Sequence, residues 1–270
     1  MKIIISHDVD HLFRNDHYRD LIYPKLWIRS TLELLKREYG VHEWFFRMLT
    51  PFSKKRHHIP EVIAFDRANG IESTFFFGMD NGLGMSYSVE RAKPVIHYVA
   101  EQGFDVGVHG IAYNDASRIQ AEYESMKNIL GRGDFGIRTH YVRFDDTTFS
   151  LFAKSGYFFD TSEFDKRTGG SLKSPYKVGD MWEFPLAMMD GYLPLKLEEK
   201  KKASLDLIEK AERKNLPYLT ILFHDYQYCD GYATERDWYE WLIGWLKANK
   251  YQFISYRDAI TELERSVNVK

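Results

Sequence analysis

The sequence predicts an α/β fold, a distorted (β/α) barrel of seven or eight strands. Strand-like and helix-like stretches alternate along nearly the whole chain, and seven or eight such units can be counted. Alternation argues for a parallel sheet, and that number of units argues for closure. A third observation is that His and Asp recur where the apolar strands stop. At 270 residues a single barrel of roughly 250 residues is as compatible as two ordinary domains. No internal repeat or flexible linker interrupts the chain, so 1–270 reads as one domain with a helical insertion around 12–60.

Residues 2–6 are β-branched and apolar, the pattern of a buried strand. In the 12–60 insertion Leu32, Leu35 and Tyr39 share a helical face, and Trp44-Phe45-Phe46 follow Gly40. Such a segment packs over the barrel, or serves as a lid, an oligomer contact or a membrane-surface helix. A helix over 61–68 ends at Gly70, a strand covers 73–77, and a helix over 88–102 stops at Gly103. Next come a strand over 104–108, a helix over 116–130 closed by Gly131, a strand near 136–138 and a helix over 147–154. Strands follow at 158–160 and 182–185, then a helix over 198–214 whose lysine run is a solvated face. The strand 218–223 ends in His224-Asp225, a helix covers 235–248, and 251–254 is a strand. Ser255 is a suitable N-cap for a last helix through 264.

Charged residues make up 28% of the chain and nearly cancel, to a net −2, so the basic excess of a nucleic-acid binder is missing. Cys229 is the only cysteine, which excludes an intrachain disulfide. The first apolar run is too short for a secretion signal, and nothing approaches the ~20 apolar residues of a spanning helix. The expectation is a cytoplasmic protein without a transmembrane segment; oligomeric state is left open.

Asp8 and Asp10 close the first strand, His109 a middle one and His224 a late one. In a parallel barrel these ends form one rim, where catalytic groups gather. The spacing of two in Asp8-Val9-Asp10 points both carboxylates to one side of extended backbone. Two carboxylates so close repel unless a cation relieves them, and Asp with His suits zinc or a similar divalent ion. Capping of the next segment is the alternative role for Asp10.

Five segments in order resemble the polysaccharide deacetylase superfamily, the NodB-homology group or carbohydrate esterase family four. They are Ser6-His7-Asp8-Val9-Asp10, Glu72-Ser73-Thr74-Phe75-Phe76, Asp105-Val106-Gly107-Val108-His109, Gly136-Ile137-Arg138-Thr139-His140-Tyr141 and Ile221-Leu222-Phe223-His224-Asp225. Phe253-Ile254-Ser255-Tyr256-Arg257-Asp258 is similar to the family's usual last strand and helix start. The likeness spans residue 3 to about 260, apart from the insertion. Asp160-Thr161-Ser162 and the run from Glu183 to Asp190 resemble a branch found with surface-polysaccharide (O-antigen) assembly.

The resemblance implies a deacetylase acting on an N-acetylated (or O-acetylated) sugar. It implies Asp8 as general base, Arg138 orienting it, His224 as the proton donor to the leaving nitrogen, and Asp10 with His109 binding a divalent metal such as zinc. His140, Tyr141 and Tyr113 are expected at the substrate. One departure stands out: the family's second metal histidine falls at Tyr113, so a third ligand must come from Asn114, His11 or His140, or from water. Two other readings remain, a sugar-binding relative that has lost its metal and an amidohydrolase of small nitrogen compounds. A cytoplasmic member would act on a nucleotide-linked or lipid-linked sugar.

Overall fold

The computed structural model describes residues 1–18 and 20–268. Among these residues nine strands form one curled sheet: β1 (Lys2–Val9), β2 (Thr74–Phe77), β3 (Asp105–Gly110), β4 (Ile137–Thr139), β5 (Phe159–Asp160), β6 (Tyr176–Val178), β7 (Met181–Glu183), β8 (Met188–Met189) and β9 (Tyr218–Leu222). Their order is β6-β7-β5-β4-β3-β2-β1-β9-β8. Every neighbouring pair is parallel except the β6–β7 hairpin, which turns at Gly179 with φ +60°. The distorted (β/α) barrel that the sequence predicts is present, open as a half-barrel with β6 and β8 as its two edges. The strand expected over 251–254 reduces to one bridge, Phe253 beside Ile3.

Alternation along β1 sorts the two faces. Ile3, Ile5 and Val9 face a layer of helices, whose Val62 and Ile63, Ile96 and Val99, Met126, Phe152, Ile208, Trp238 and Leu242 form the larger apolar cluster. These side chains come from α3 (Ile59–Asn69), α4 (Val89–Glu101), α5 (Ala116–Leu130), α6 (Thr148–Ser155), α7 (Leu197–Arg213) and α8 (Ala233–Ala248). Ile4 faces the other way, into a second cluster with Phe76, Phe159, Phe184 and Tyr218. The last helix, α9 (Tyr256–Asn268), packs Tyr256, Ala259 and Ile260 into that inner cluster. Tyr256 stacks on Phe159 at 4.4 Å. Burying each such aromatic contributes on the order of 1.5–3 kcal/mol, so the inner face is held without a closed ring of strands. Gly107 is required where β3 passes its neighbours, because a Cβ would sit 2.6 Å from the Phe76 ring and 2.8 Å from the Gly136 carbonyl.

The insertion is helical, with α1 (Ile22–Leu35) and α2 (Val41–Leu49) between β1 and α3. Arg47 ties it down: its guanidinium donates to Glu43 at 2.6 Å, Glu33 at 3.1 Å and the Gly231 carbonyl at 2.7 Å, and lies between the rings of Tyr39 and Tyr232. Leu32 and Leu35 stay exposed. Among the described residues no helix is long and apolar enough to cross a membrane.

Candidate functional site

The polar side chains collect where the parallel strands end. Ser6 and Asp8 share the inner face of β1, and Asp10 follows one residue beyond the strand. His7 takes the opposite face, where Asp66 and the Phe223 carbonyl hold its ring, both at 2.9 Å, as a buried structural pair. His109 sits near the end of β3, Arg138 in β4, and His140 just after it. Asp190 follows β8 and His224 follows β9.

Three acceptor atoms meet in the centre. The His109 Nε2 lies 3.2 Å from Asp10 Oδ1 and 3.0 Å from His140 Nδ1, and His140 Nδ1 lies 3.3 Å from the same Asp10 oxygen. The far side of each ring is tied to a carbonyl: His109 Nδ1 to Arg138 at 3.0 Å and His140 Nε2 to Leu83 at 3.3 Å. A carbonyl only accepts, so each ring donates its N–H outward and turns a lone pair toward Asp10. Asp10 Oδ1 is buried and makes no hydrogen bond. Burial alone pushes the Asp10 carboxyl up; only with His140, His109 and His224 carrying protons toward it is the group held well below the usual carboxylate range, a role that a cation takes over when the rings present lone pairs. Two lone pairs and a carboxylate facing one another repel unless a cation lies between them. Ligands at 2.0–2.1 Å in a tetrahedral zinc site stand roughly 3.3 Å apart, close to the three separations here. The donor set fits a divalent ion, and among the described residues these three form the candidate metal cluster.

On one side of the cluster lies Asp8. Its Oδ1 accepts from Arg138 Nη1 at 2.9 Å, and its Oδ2 is 3.7 Å from His109 Nε2. Arg138 is fully buried and spends its other donors on Ser6 Oγ at 2.8 Å, the Tyr256 hydroxyl at 3.2 Å and the Thr161 carbonyl at 3.3 Å. Its guanidinium lies over the Phe76 ring at 4.6 Å. On the other side is His224, whose Nε2 stands 3.7 Å from Asp10 Oδ2. Its Nδ1 bonds Asp190 at 2.8 Å, and its backbone N–H donates to the same carboxylate at 2.7 Å. Burial opposes a charge on His224, but the Asp190 carboxylate prevails and the ring is pushed up to about 10. Asp225, the sequence neighbour expected to steady that charge, instead accepts the His58 backbone N–H at 3.0 Å. Burial drives the Asp225 carboxyl well above its ordinary value, toward the neutral form.

These groups open into a cleft of about 460 Å³ that Asp8, Asp10, His109, His140, Tyr141 and His224 all line. Tyr141 is more than half exposed, and its backbone is left-handed at φ +60°, as is that of Val142 at φ +44°. Two such residues in succession, neither of them glycine, cost on the order of 1–2 kcal/mol each. Tyr141 stands against the His140 ring, centroids 4.1 Å apart, and its hydroxyl donates to the Leu83 carbonyl at 3.1 Å. Two expected residues do not line this cleft: Arg138, fully buried behind Asp8, and Tyr113. Glu122 accepts the backbone N–H groups of Ile111 and Ala112 at 2.8 and 3.2 Å, and the Tyr113 ring beyond them lies under Arg143 in a neighbouring depression. His140 therefore stands in the cluster where Tyr113 does not. Sequence reasoning missed Asp190 as a partner of His224, although it lies at the end of the Glu183–Asp190 run.

No family model matches the chain, and no curated protein matches it at the sequence level. Solved structures do. A protein from Mycobacterium smegmatis described as a polysaccharide deacetylase superposes with a TM-score of 0.64 at 14% identity, over 98% of this chain and 90% of that one. The Xyl-CE4 domain of a multidomain xylanase from the hindgut metagenome of Trinervitermes trinervoides gives 0.50 at 12% identity, over 97% and 90%. A 4-alpha-glucanotransferase from Thermococcus litoralis gives 0.51 at 10% identity, over 96% of this chain but 38% of that one. The chain thus has the fold of the polysaccharide deacetylases.

Proposed function

We propose that this protein is a metal-dependent deacetylase that hydrolyses the N-acetyl (or O-acetyl) group of a sugar. The observation that carries the reading is the cluster of Asp10, His109 and His140, flanked by a held carboxylate, Asp8, on one side and a held imidazole, His224, on the other. A divalent ion such as zinc, bound by those three residues, supplies Lewis acidity that acidifies water and polarises an acyl carbonyl.

The chain's own groups do the proton work. Arg138 occupies Asp8 Oδ1 and so leaves Oδ2 turned to the cluster. Asp8 takes the proton of a water as its oxygen bonds to the acetyl carbon. His224, kept protonated by Asp190, gives its Nε2 proton to the departing amine as the carbon–nitrogen bond breaks, and acetate remains. The exposed rings of Tyr141 and Tyr192 on the cleft wall suit the flat faces of a sugar. That open aromatic wall supports a saccharide over a small amide. The sugar-binding alternative presumes a lost metal ligand, and the position of His140 beside Asp10 and His109 speaks against that premise. A place in surface-polysaccharide assembly draws its support from the Glu183–Asp190 run, whose last residue steadies His224.

The test is acetate release from N-acetylated sugars, free, nucleotide-linked and polymeric, with zinc added. Release that depends on metal and disappears in Asp8→Asn is expected; activity unchanged in Asp8→Asn sinks the reading.

A further inference from the structure

The cleft has a second charged region that the deacetylation chemistry does not use. The insertion contributes Ile22, Lys25, Leu26 and Arg29 from one face of α1, together with Arg56 just before α3. Arg56 is 4% exposed, lines the cleft, and its Nε and Nη1 are buried without any hydrogen-bond acceptor. Among the described residues its one π contact is the Tyr23 ring, at 5.8 Å. Burying a guanidinium without an anion is unfavourable, because its lost hydration is not replaced. The acids that line the cleft are already committed: Asp8 to Arg138, Asp10 to the cluster with His109 and His140 that suits a metal ion, Asp190 to His224. Lys25 is exposed on the same wall, and Arg29 uses its Nε on Glu33 while most of its side chain stays open.

We infer that Arg56, with Lys25 and Arg29, forms a binding subsite for the phosphate or diphosphate of a phosphate-linked sugar. This deepens the deacetylase reading and rests on it for the position of the sugar. Guanidinium groups match phosphate oxygens in pairs of parallel N–H bonds, and three cations without a free acid on their wall match a multiply charged group better than a single carboxylate. Both regions line one continuous cleft, and the Arg56 backbone N–H bonds the carbonyl of Leu12, two residues after Asp10, at 2.9 Å, which ties the second region to the first. The phosphate belongs to a nucleotide in solution or to a lipid carrier; the chemistry is shared.

The experiment titrates zinc-loaded full-length protein with uridine diphosphate, and separately with phosphatidylcholine vesicles with and without a polyprenyl phosphate. Arg56→Gln is expected to weaken binding roughly tenfold or more in whichever arm binds, as loss of charge-assisted bonds does. The surface pair Lys25→Ala/Arg29→Ala, which leaves the buried Arg56 in place, is expected to weaken it several-fold and to flatten its salt dependence. Asp10→Asn is expected to retain binding. The inference is overturned if neither arm binds, if both cation variants bind like the parent, or if Asp10→Asn abolishes binding while Arg56→Gln keeps it. Phosphate binding without acetate release from any N-acetyl sugar leaves the subsite standing and removes the deacetylase reading alone.

Discussion

Arg138 and Asp8, 130 residues apart in the chain, form a buried ion pair at 2.9 Å in which the arginine is fully enclosed. Breaking such a pair from one side leaves the other charge without compensation, which costs about 3–5 kcal/mol. Arg138→Met is expected to destabilise the protein by about that much, since Ser6, Thr161 and Tyr256 also lose a donor. Urea unfolding measures it. A loss below about 1 kcal/mol contradicts the pairing.

Asp190 acts on His224 through both a ring nitrogen and the backbone. Asp190→Asn removes the charge that lifts the His224 ring to about 10, so the proton is lost at lower pH. The alkaline limb of the pH–rate profile for acetate release, which reports loss of the general acid, is expected to move to lower pH. Asp225→Asn, whose parent carboxyl is driven toward the neutral form by burial and accepts from the His58 backbone, is expected to leave that limb in place.

The strand ends were legible because apolar β-branched runs stop abruptly at His and Asp, as at Ser6-His7-Asp8 and Leu222-Phe223-His224. Asp8, Asp10, His109, Arg138 and His224 were each identified from their own segments, and the structure brings all five together. Other relationships have no local pattern. Asp190 stands after a two-residue strand, Met188–Met189, too short to show any alternation. His140 was one of three candidate third ligands, and the tight turn with Tyr141 at positive φ that aims it inward leaves no mark in residue type. The β6–β7 hairpin passed unseen because Tyr176–Val178 lies exposed or half-exposed and lacks a buried face. That Arg56 lacks an anion is a fact of three-dimensional surroundings alone.

Asp160 and Glu183 pair across β5 and β7 with both side chains fully buried. Burial pushes Asp160 up to about 6, and burial with the Asp160 charge pushes Glu183 well above its ordinary value. The folded state therefore holds protons that the unfolded chain has released, and stability falls as pH rises. The decline starts near pH 4, the unfolded value, and continues through pH 6 as Asp160 ionises. Glu183→Gln removes one of the two competing charges and is expected to flatten that slope. Thermal unfolding between pH 4 and pH 8 measures it, and an unchanged slope excludes the mutual repulsion of this pair as its source.

Metal content discriminates between His140 and Tyr113 as the third contributor to the cluster. His140 Nδ1 stands 3.0 Å from His109 Nε2 and 3.3 Å from Asp10 Oδ1, whereas Tyr113 lies under Arg143 outside the cleft. Changing even an outer neighbour of a ligand typically weakens metal binding about 10–100-fold, so removing a ligand does at least that. His140→Ala is expected to lose bound zinc on dialysis against a weak chelator, and with it acetate release; Tyr113→Phe is expected to keep both. Elemental analysis of the two dialysed variants reads the difference directly. A His140→Ala protein that retains a full equivalent of zinc places the ion elsewhere in the cleft, and the carboxylate of Asp10 would then need another partner for its buried, unbonded oxygen.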